Sequence, residues 1–258
     1  MKHFNGFNKI VLVVEYDGSD YHGFQWQANL RTVQAELEQA LGRVTGENSR
    51  IVAASRTDTG VHARGQVVSF RTESALPPQG FVRALNHYLP SDIAIKGACR
   101  AGTDFDVRRD ALSREYDYYI LNGTTRSPLA RGFAYLVAGE LNIRTMNKVC
   151  RFLEGEHDFA SFVTSLGKLR STVRTVHKAK VTRQNDLVTF HMVANSFLPH
   201  QVRNTLGLLI RVGLGKVAPK EFHRIMRART LGLAGPTAPS HGLCLTKVNY
   251  PRSLELAA

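Results

Sequence analysis

A chain of 258 residues, 43% hydrophobic and 21% charged, is long enough for one large or two modest domains with real cores, which excludes disorder as the default state. The 34 Lys and Arg against 21 Asp and Glu leave a formal +13, a surplus that points to a polyanionic partner, of which nucleic acid is the commonest. Cys99, Cys150 and Cys244 are scattered without CxxC spacing, which excludes a disulfide framework and a zinc cluster and fits a reducing compartment.

The opening apolar run, residues 10–14, is too short for a signal segment or a membrane span, so the expectation is a cytoplasmic protein. Residues 9–17 (KIVLVVEYD) are β-branched and aromatic and stop at DGS, which predicts a strand. Residues 32–46 place Val33, Leu37, Leu41 and Val44 at helical spacing behind Thr32, a capping residue. Short strands at 51–54 and 65–71 flank RTDTGVHA; a helix at 80–88 and a strand at 92–99 complete a β-α-β-β-α-β order. The back half repeats that order: a strand at 114–122, a helix at 143–153, a hairpin of 173–183 with 187–193, helices at 200–214 and 221–229, and a strand at 243–249. The expected fold is α+β, with two ferredoxin-like halves, 1–110 and 111–258, whose antiparallel sheets join into one, helices on one side and an active-site cleft between the halves. Charge divides the same way: residues 1–110 carry 13 basic and 12 acidic side chains, +1, whereas 111–258 carry 21 and 9, +12.

Asp58 stands between two strand-like runs, in a loop with Arg56, His62 and Arg64 but no Lys or Glu. DTG is also the triplet of aspartic proteases, which need two carboxylates sharing a proton in apolar surroundings. Here it occurs once, and Arg56 favours the ionised form, so that reading is weak. An Asp-Thr-Gly turn with no chemistry is the plainer alternative. Gly60 allows a tight backbone turn beneath the acid, and loops at strand ends are where catalytic groups are displayed.

The wider string, RTDTGVHARGQV at 56–67, resembles the RTDxGVHAxGQV motif of the tRNA pseudouridine synthase I (TruA) family. Four more stretches resemble that family in order: EYDGSDYHGFQWQ at 15–27, SREYDYYILN at 113–122, SFLPHQVRNTLG at 196–207 and APSHGLCLTKVNYP at 238–251. The resemblance covers roughly residues 9–251 and implies a cofactor-free, metal-free RNA isomerase. It would turn uridine into pseudouridine in the anticodon stem-loop of tRNA (family expectation positions 38, 39 and 40), acting as a homodimer.

Carried over by position, Asp58 matches the catalytic aspartate, Arg203 in HQVRN the arginine that pairs with it, and Tyr116 the tyrosine against the target base. Arg56 matches an RNA-contacting arginine that helps hold the flipped base. Thr57, His62, Phe105 and Arg108 fall in motif positions associated with substrate. His62 in VHA reads more readily as a hydrogen-bonded loop histidine than as a general base. Two departures stand out: Ser55 replaces the glycine before RTD, so its backbone should not need positive φ, and Asp106 replaces the histidine of FHAR. They keep alive a second reading, a tRNA-binding protein of the same fold without catalysis. From residue pattern alone, Val202, Leu206, Leu209 and Ile210 form one apolar helix face with Arg203 at its edge. Lys168, Arg170, Arg174, Lys178 and Lys180 form one basic cluster, with Arg174, Lys178 and Lys180 on one strand face, and Lys216, Lys220, Arg224 and Arg227 form another.

Overall fold

The computed structural model describes residues 7–165, 167 and 171–251, so Lys168 and Arg170 lie outside the described residues. The chain is a mixed α+β protein whose described residues divide into two compact units, one made of residues 7–112 and 245–251, the other lying within Ser113–Cys244.

In the first unit, strand β1 (Asn8–Tyr16) is flanked by two antiparallel neighbours, β3 (His62–Thr72) and β4 (Ile93–Ala101). Its alternating Ile10, Leu12 and Val14 are fully buried, and so is Val11 on the other face. β2 is only Val52–Ala53, pairing with Ser69 and Val68 of β3, because the chain then leaves the sheet to form the RTDTG loop. The last strand, β10 (Leu243–Asn249), also lies next to β3. Helix α1 (Val33–Thr45) begins where expected: the Thr32 hydroxyl accepts the Ala35 N–H at 3.3 Å, and left-handed Gly46 closes it. It buries Val33, Leu37, Ala40 and Leu41, each large side chain contributing about 1.5–3 kcal/mol. Helix α2 (Pro78–Tyr88) starts two residues earlier than the pattern implies, since Pro78 is preorganised for the first helical position. It packs on β4 and α1, with Phe81 edge-on to Phe70 at 5.4 Å.

In the second unit, β5 (Ser113–Asn122) pairs antiparallel with β9 (Leu187–Ala194), β9 with β8 (Val173–Gln184), and β8 with β7 (Gly155–Asp158). The short β6 (Tyr135–Val137) runs parallel to β5. Register puts Tyr116 opposite Met192 and Tyr118 opposite Phe190, with Ala179 and Val181 beyond them on the same buried face. Glu115, Asp117, Tyr119 and His191 occupy the other face with Lys178 and Lys180.

Arg174 does not share that face. A bulge between Val176 and Lys178 inserts one residue, so side-chain parity reverses and Arg174 points with Val176, opposite to the two lysines. Burial there lowers the guanidinium's proton affinity, and its Nε is buried without a partner among the described residues.

Helix α3 (Ile143–Cys150) is capped by Asn142, stops three residues short of the expected end, and packs on β8, α4 and α5. Helix α4 (Gln201–Gly213) is not amphipathic as its pattern implies: Asn204, Thr205, Gly207 and Leu208 are buried as well as Val202, Leu206, Leu209 and Ile210. The segment 234–238 explains the difference, because it runs along what would have been the polar face. There the Asn204 Oδ1 accepts from the Thr237 hydroxyl at 2.6 Å and Arg211 reaches Gly235 O at 3.3 Å, while the Asn204 Nδ2 donates to Phe162 O at 2.7 Å. A Cβ on Gly207 would lie 1.8 Å from Pro236 O, so only glycine admits this approach. Helix α5 (Pro219–Ala228) completes the unit. Among the described residues no helix is long and apolar enough to cross a membrane, and Cys99, Cys150 and Cys244 are free thiols.

Candidate active site

The RTDTG segment fills residues 56–60 between β2 and β3, and its backbone is held on both sides. On one side the chain between β1 and α1 pairs with it: Phe24 N–H donates to Thr57 O at 3.0 Å and Gly60 N–H to Tyr21 O at 3.2 Å. Gly23, with φ +83°, makes this close approach possible, since a Cβ there would meet Thr57 O at 2.7 Å. Between those anchors Val61 N–H donates to Asp58 O at 3.1 Å, closing a turn around Gly60, which adopts φ +74° as the sequence requires. Asp58 itself is half-buried and Arg56 exposed.

On the other side a buried polar cluster supports the loop. Gln66 is fully buried; its Nε2 donates to Ser55 O at 2.8 Å and its Oε1 accepts the Ser55 N–H at 3.3 Å. The side-chain amide thus imitates a strand partner where β2 has ended. The Tyr16 hydroxyl shares a 2.7 Å hydrogen bond with the hydroxyl of Thr57, which is itself buried. Ser55 keeps negative φ, as expected for a position that gives up glycine. Gln66 and Tyr16 are site residues that sequence reasoning passed over, although both lie inside the quoted motifs.

His62 opens β3 and is 4% exposed. Its Nδ1 accepts the Gly18 N–H at 3.0 Å and lies 3.1 Å from Asp17 Oδ1. A ring so enclosed joins the start of β3 to the end of β1. Burial works against ionisation of Asp17, but hydrogen bonds from Ser19 N–H and Oγ–H outweigh it and hold the carboxyl below its usual range. Nearby, Tyr21 donates to Asp92 at 2.6 Å beneath the Arg31 guanidinium, which lies 4.4 Å over its ring; burial first, then Asp92, pushes this phenol's pKa upward.

Phe105 and Arg108 belong to the first unit as well. Phe105 packs edge-on against Tyr250 at 5.4 Å, while Arg108 is exposed. Asp106 has a local task that a histidine could not perform in the same way: its Oδ1 accepts the N–H groups of Arg108 and Arg109, both at 2.8 Å, capping the turn. The Arg109 N–H leads the causes that hold this carboxyl below its usual range.

The second unit carries Tyr116 and Arg203. Tyr116 is 5% exposed and its ring meets Phe197 edge-on at 5.1 Å. Arg203, in the first turn of α4 behind left-handed His200, is half-buried rather than extended along the surface. Its Nε donates to Ala238 O at 2.8 Å while Ala238 N–H donates to Arg203 O at 3.1 Å, so the guanidinium stem is fixed by the loop that lies on the helix. The neighbouring Tyr118 hydroxyl donates to Pro239 O at 2.7 Å; burial raises its pKa and the Arg203 charge opposes that rise. Among the described residues no group of three or more His, Cys, Asp or Glu could hold a metal ion.

The family model described as tRNA pseudouridine synthase matches residues 12–110 and 149–251. The tRNA pseudouridine synthase A of Chloroflexus aurantiacus is 43% identical over 249 residues, covering 95% of this chain and 90% of that protein. Its counterpart in Thermoanaerobacter sp. is 40% identical over 241 residues, with 93% and 99% covered, and that of Legionella pneumophila 41% over 248, with 96% and 95% covered. Among solved structures, the archaeal box H/ACA sRNP Nop10-Cbf5 complex aligns at 14% identity with a TM-score of 0.36, over 79% of this chain and 44% of that one, too loosely to bear on the fold. A chain with this loop, this α4 segment and this breadth of match is one of a class of RNA-modifying isomerases. It belongs to the tRNA pseudouridine synthase family.

Proposed function

We propose that this protein isomerises uridine to pseudouridine in the anticodon stem-loop of tRNA, with Asp58 as nucleophile toward an everted base. The observation that carries the proposal is the half-exposed Asp58 carboxylate on a backbone pinned at Thr57, Gly60 and its own carbonyl, in a member of this family. The reaction breaks the bond from uracil N1 to ribose C1′ and forms one from C5 to C1′; C5 gives up a proton and N1 gains one. Atoms and electrons balance within the substrate. A carboxylate suits the task because it can hold one fragment covalently while the other turns, then depart. Preorganisation matters more than strength here, and hydrogen-bonded anchors on either side supply it.

In this reading Arg203 is the cation that partners Asp58, Tyr116 lies against the base, and Arg56 with Arg108 contacts the RNA backbone. Phe105, Thr57 and His62 shape the substrate surface through Tyr250, Tyr16 and Gly18 respectively. The halves are ferredoxin-like, a reading supported by the strand order β4-β1-β3 with β2 on β3, and the enzyme works in the cytoplasm as a homodimer. The decisive experiment maps pseudouridine in unmodified tRNA treated with parent protein and Asp58→Asn. The parent should form product; the variant should bind tRNA within about threefold of the parent and form none. Product from the variant at a rate near the parent's would remove Asp58 from the chemistry. Binding without product by the parent would instead favour a non-catalytic tRNA-binding protein.

A further inference from the structure

Helices α3 and α5 carry one charge pattern twice. In α3, Met146, Val149 and Cys150 are buried while Arg144, Lys148 and Arg151, just past its end, are exposed. In α5, Phe222, Ile225 and Met226 are buried while Lys220, Arg224 and Arg227 are exposed. Both cationic sets have i, i+4, i+7 spacing, and in both the cations point away from the buried triple. The helices pack against each other, and Phe152 beyond α3 lies on the His223 ring of α5 at 4.9 Å, so the two stripes run on adjacent helices of one unit. Glu221 is the one carboxylate within α5, and it pairs with Arg224 at 2.6 and 2.8 Å. Among the described residues the other five cations have no ion-pair partner. The pattern is not general to the chain's helices: α1 mixes Glu36 and Glu38 with Arg43.

We propose that this α3–α5 face is a second RNA-contact surface, which takes the sugar-phosphate backbone of a helical segment of the RNA. Each stripe spans about 10 Å along its helix, and the stripes are on the order of 8–10 Å apart. Ten ångströms of a duplex strand carries roughly three phosphates, so three cations per stripe match the anion density of one strand. With charge but few hydrogen-bonding side chains of other kinds, the face suits affinity and orientation rather than base readout. A membrane surface fits less well, because an interfacial helix needs apolar residues beside its cations, and Phe152, half covered by His223, is the only large exposed one here.

The identity of the RNA as tRNA rests on the function proposed above; the surface itself does not. The test uses the full chain and titrates fluorescent tRNA at 50 to 300 mM KCl with the parent, Arg144→Ala/Lys148→Ala/Arg151→Ala, and Lys220→Ala/Arg224→Ala/Arg227→Ala. Alanine favours helix, so both should fold, which thermal unfolding checks. Each triple variant should weaken binding at least tenfold at low salt and flatten the log Kd against log salt slope by about 2. The conservative Arg144→Lys/Arg151→Lys variant should keep the parent slope. Triple variants with unchanged affinity and slope would overturn the inference. So would loss of binding to phosphatidylserine vesicles with tRNA binding intact, which would make the partner a membrane. A parent that binds tRNA in this manner yet makes no pseudouridine would sink the catalytic reading and leave the face standing.

Discussion

Gln66 is the residue on which the RTDTG loop leans, and two substitutions test how hard. Gln66→Leu keeps the bulk but strips both hydrogen bonds from the Ser55 backbone. Ser55 is half-exposed, so water recovers part of the loss; about 1 to 1.5 kcal/mol for each abandoned group gives a destabilisation of about 2–3 kcal/mol. In a chain of this size that lowers the melting temperature by about 4–12 °C. Gln66→Glu is the sharper probe. Protonated, the new carboxyl can still donate to Ser55 O; ionised, it sets a buried charge against that carbonyl, in a position with no solvent exposure. Burial raises its folded pKa above the unfolded value of about 4.3, so the contribution of this side chain is present in full below that pH and is lost as pH rises toward the raised value. The variant should unfold in urea close to the parent near pH 4 and lose about 1.4 kcal/mol relative to it per pH unit above, until the group ionises in the folded protein. Taking the difference from the parent at each pH cancels every other titrating group. A flat difference from pH 4 to 7, or a Leu variant within about 0.5 kcal/mol of the parent, would refute the idea that this amide supports the loop.

Three further outcomes follow from the geometry. Gly207→Ala drives a methyl into Pro236 O, a backbone atom that cannot swing aside, so a loss of about 3 kcal/mol is expected in thermal unfolding; a melting temperature within 2 °C of the parent would show that the 234–238 segment yields easily. Asp17 is held below its usual pKa, so its stabilising contribution exists above about pH 4 and disappears as pH falls through the depressed folded value; Asp17→Asn should flatten the parent's acid-side decline when unfolding midpoints at pH 3 and pH 6 are compared. Arg203→Lys retains the charge but not the Nε donor to Ala238 O, and should slow product formation by about 10- to 100-fold with tRNA affinity nearly unchanged.

Strands and helices with strong periodicity were legible: β1, α1, β5 and the β8–β9 hairpin fall where alternation and capping put them, the last turning through left-handed Asn185. What escaped was set by partners far away in sequence. β6 and β7 are too short for a pattern and exist because β5 and β8 offer them edges. The all-round burial of α4 could not be read from its residues, since it depends on a segment some thirty positions later covering Asn204 and Gly207. The bulge in β8 is invisible locally, and it was enough to turn Arg174 to the other face. The resemblance proposes Asp58, while the supports of its loop, Gln66 and Tyr16, become apparent only once their side chains are traced to the Ser55 backbone and the Thr57 hydroxyl.

The grouping of Leu245–Asn249 with the first unit has a temporal side. A ribosome finishes β3 roughly 170 residues before it delivers β10, which at typical elongation rates is on the order of 10 to 30 s. Throughout that interval the nascent N-terminal half carries an open strand edge where β10 will later lie, a surface other polypeptides could join. Deleting the final strand should therefore leave that edge open for good and show itself as precipitation.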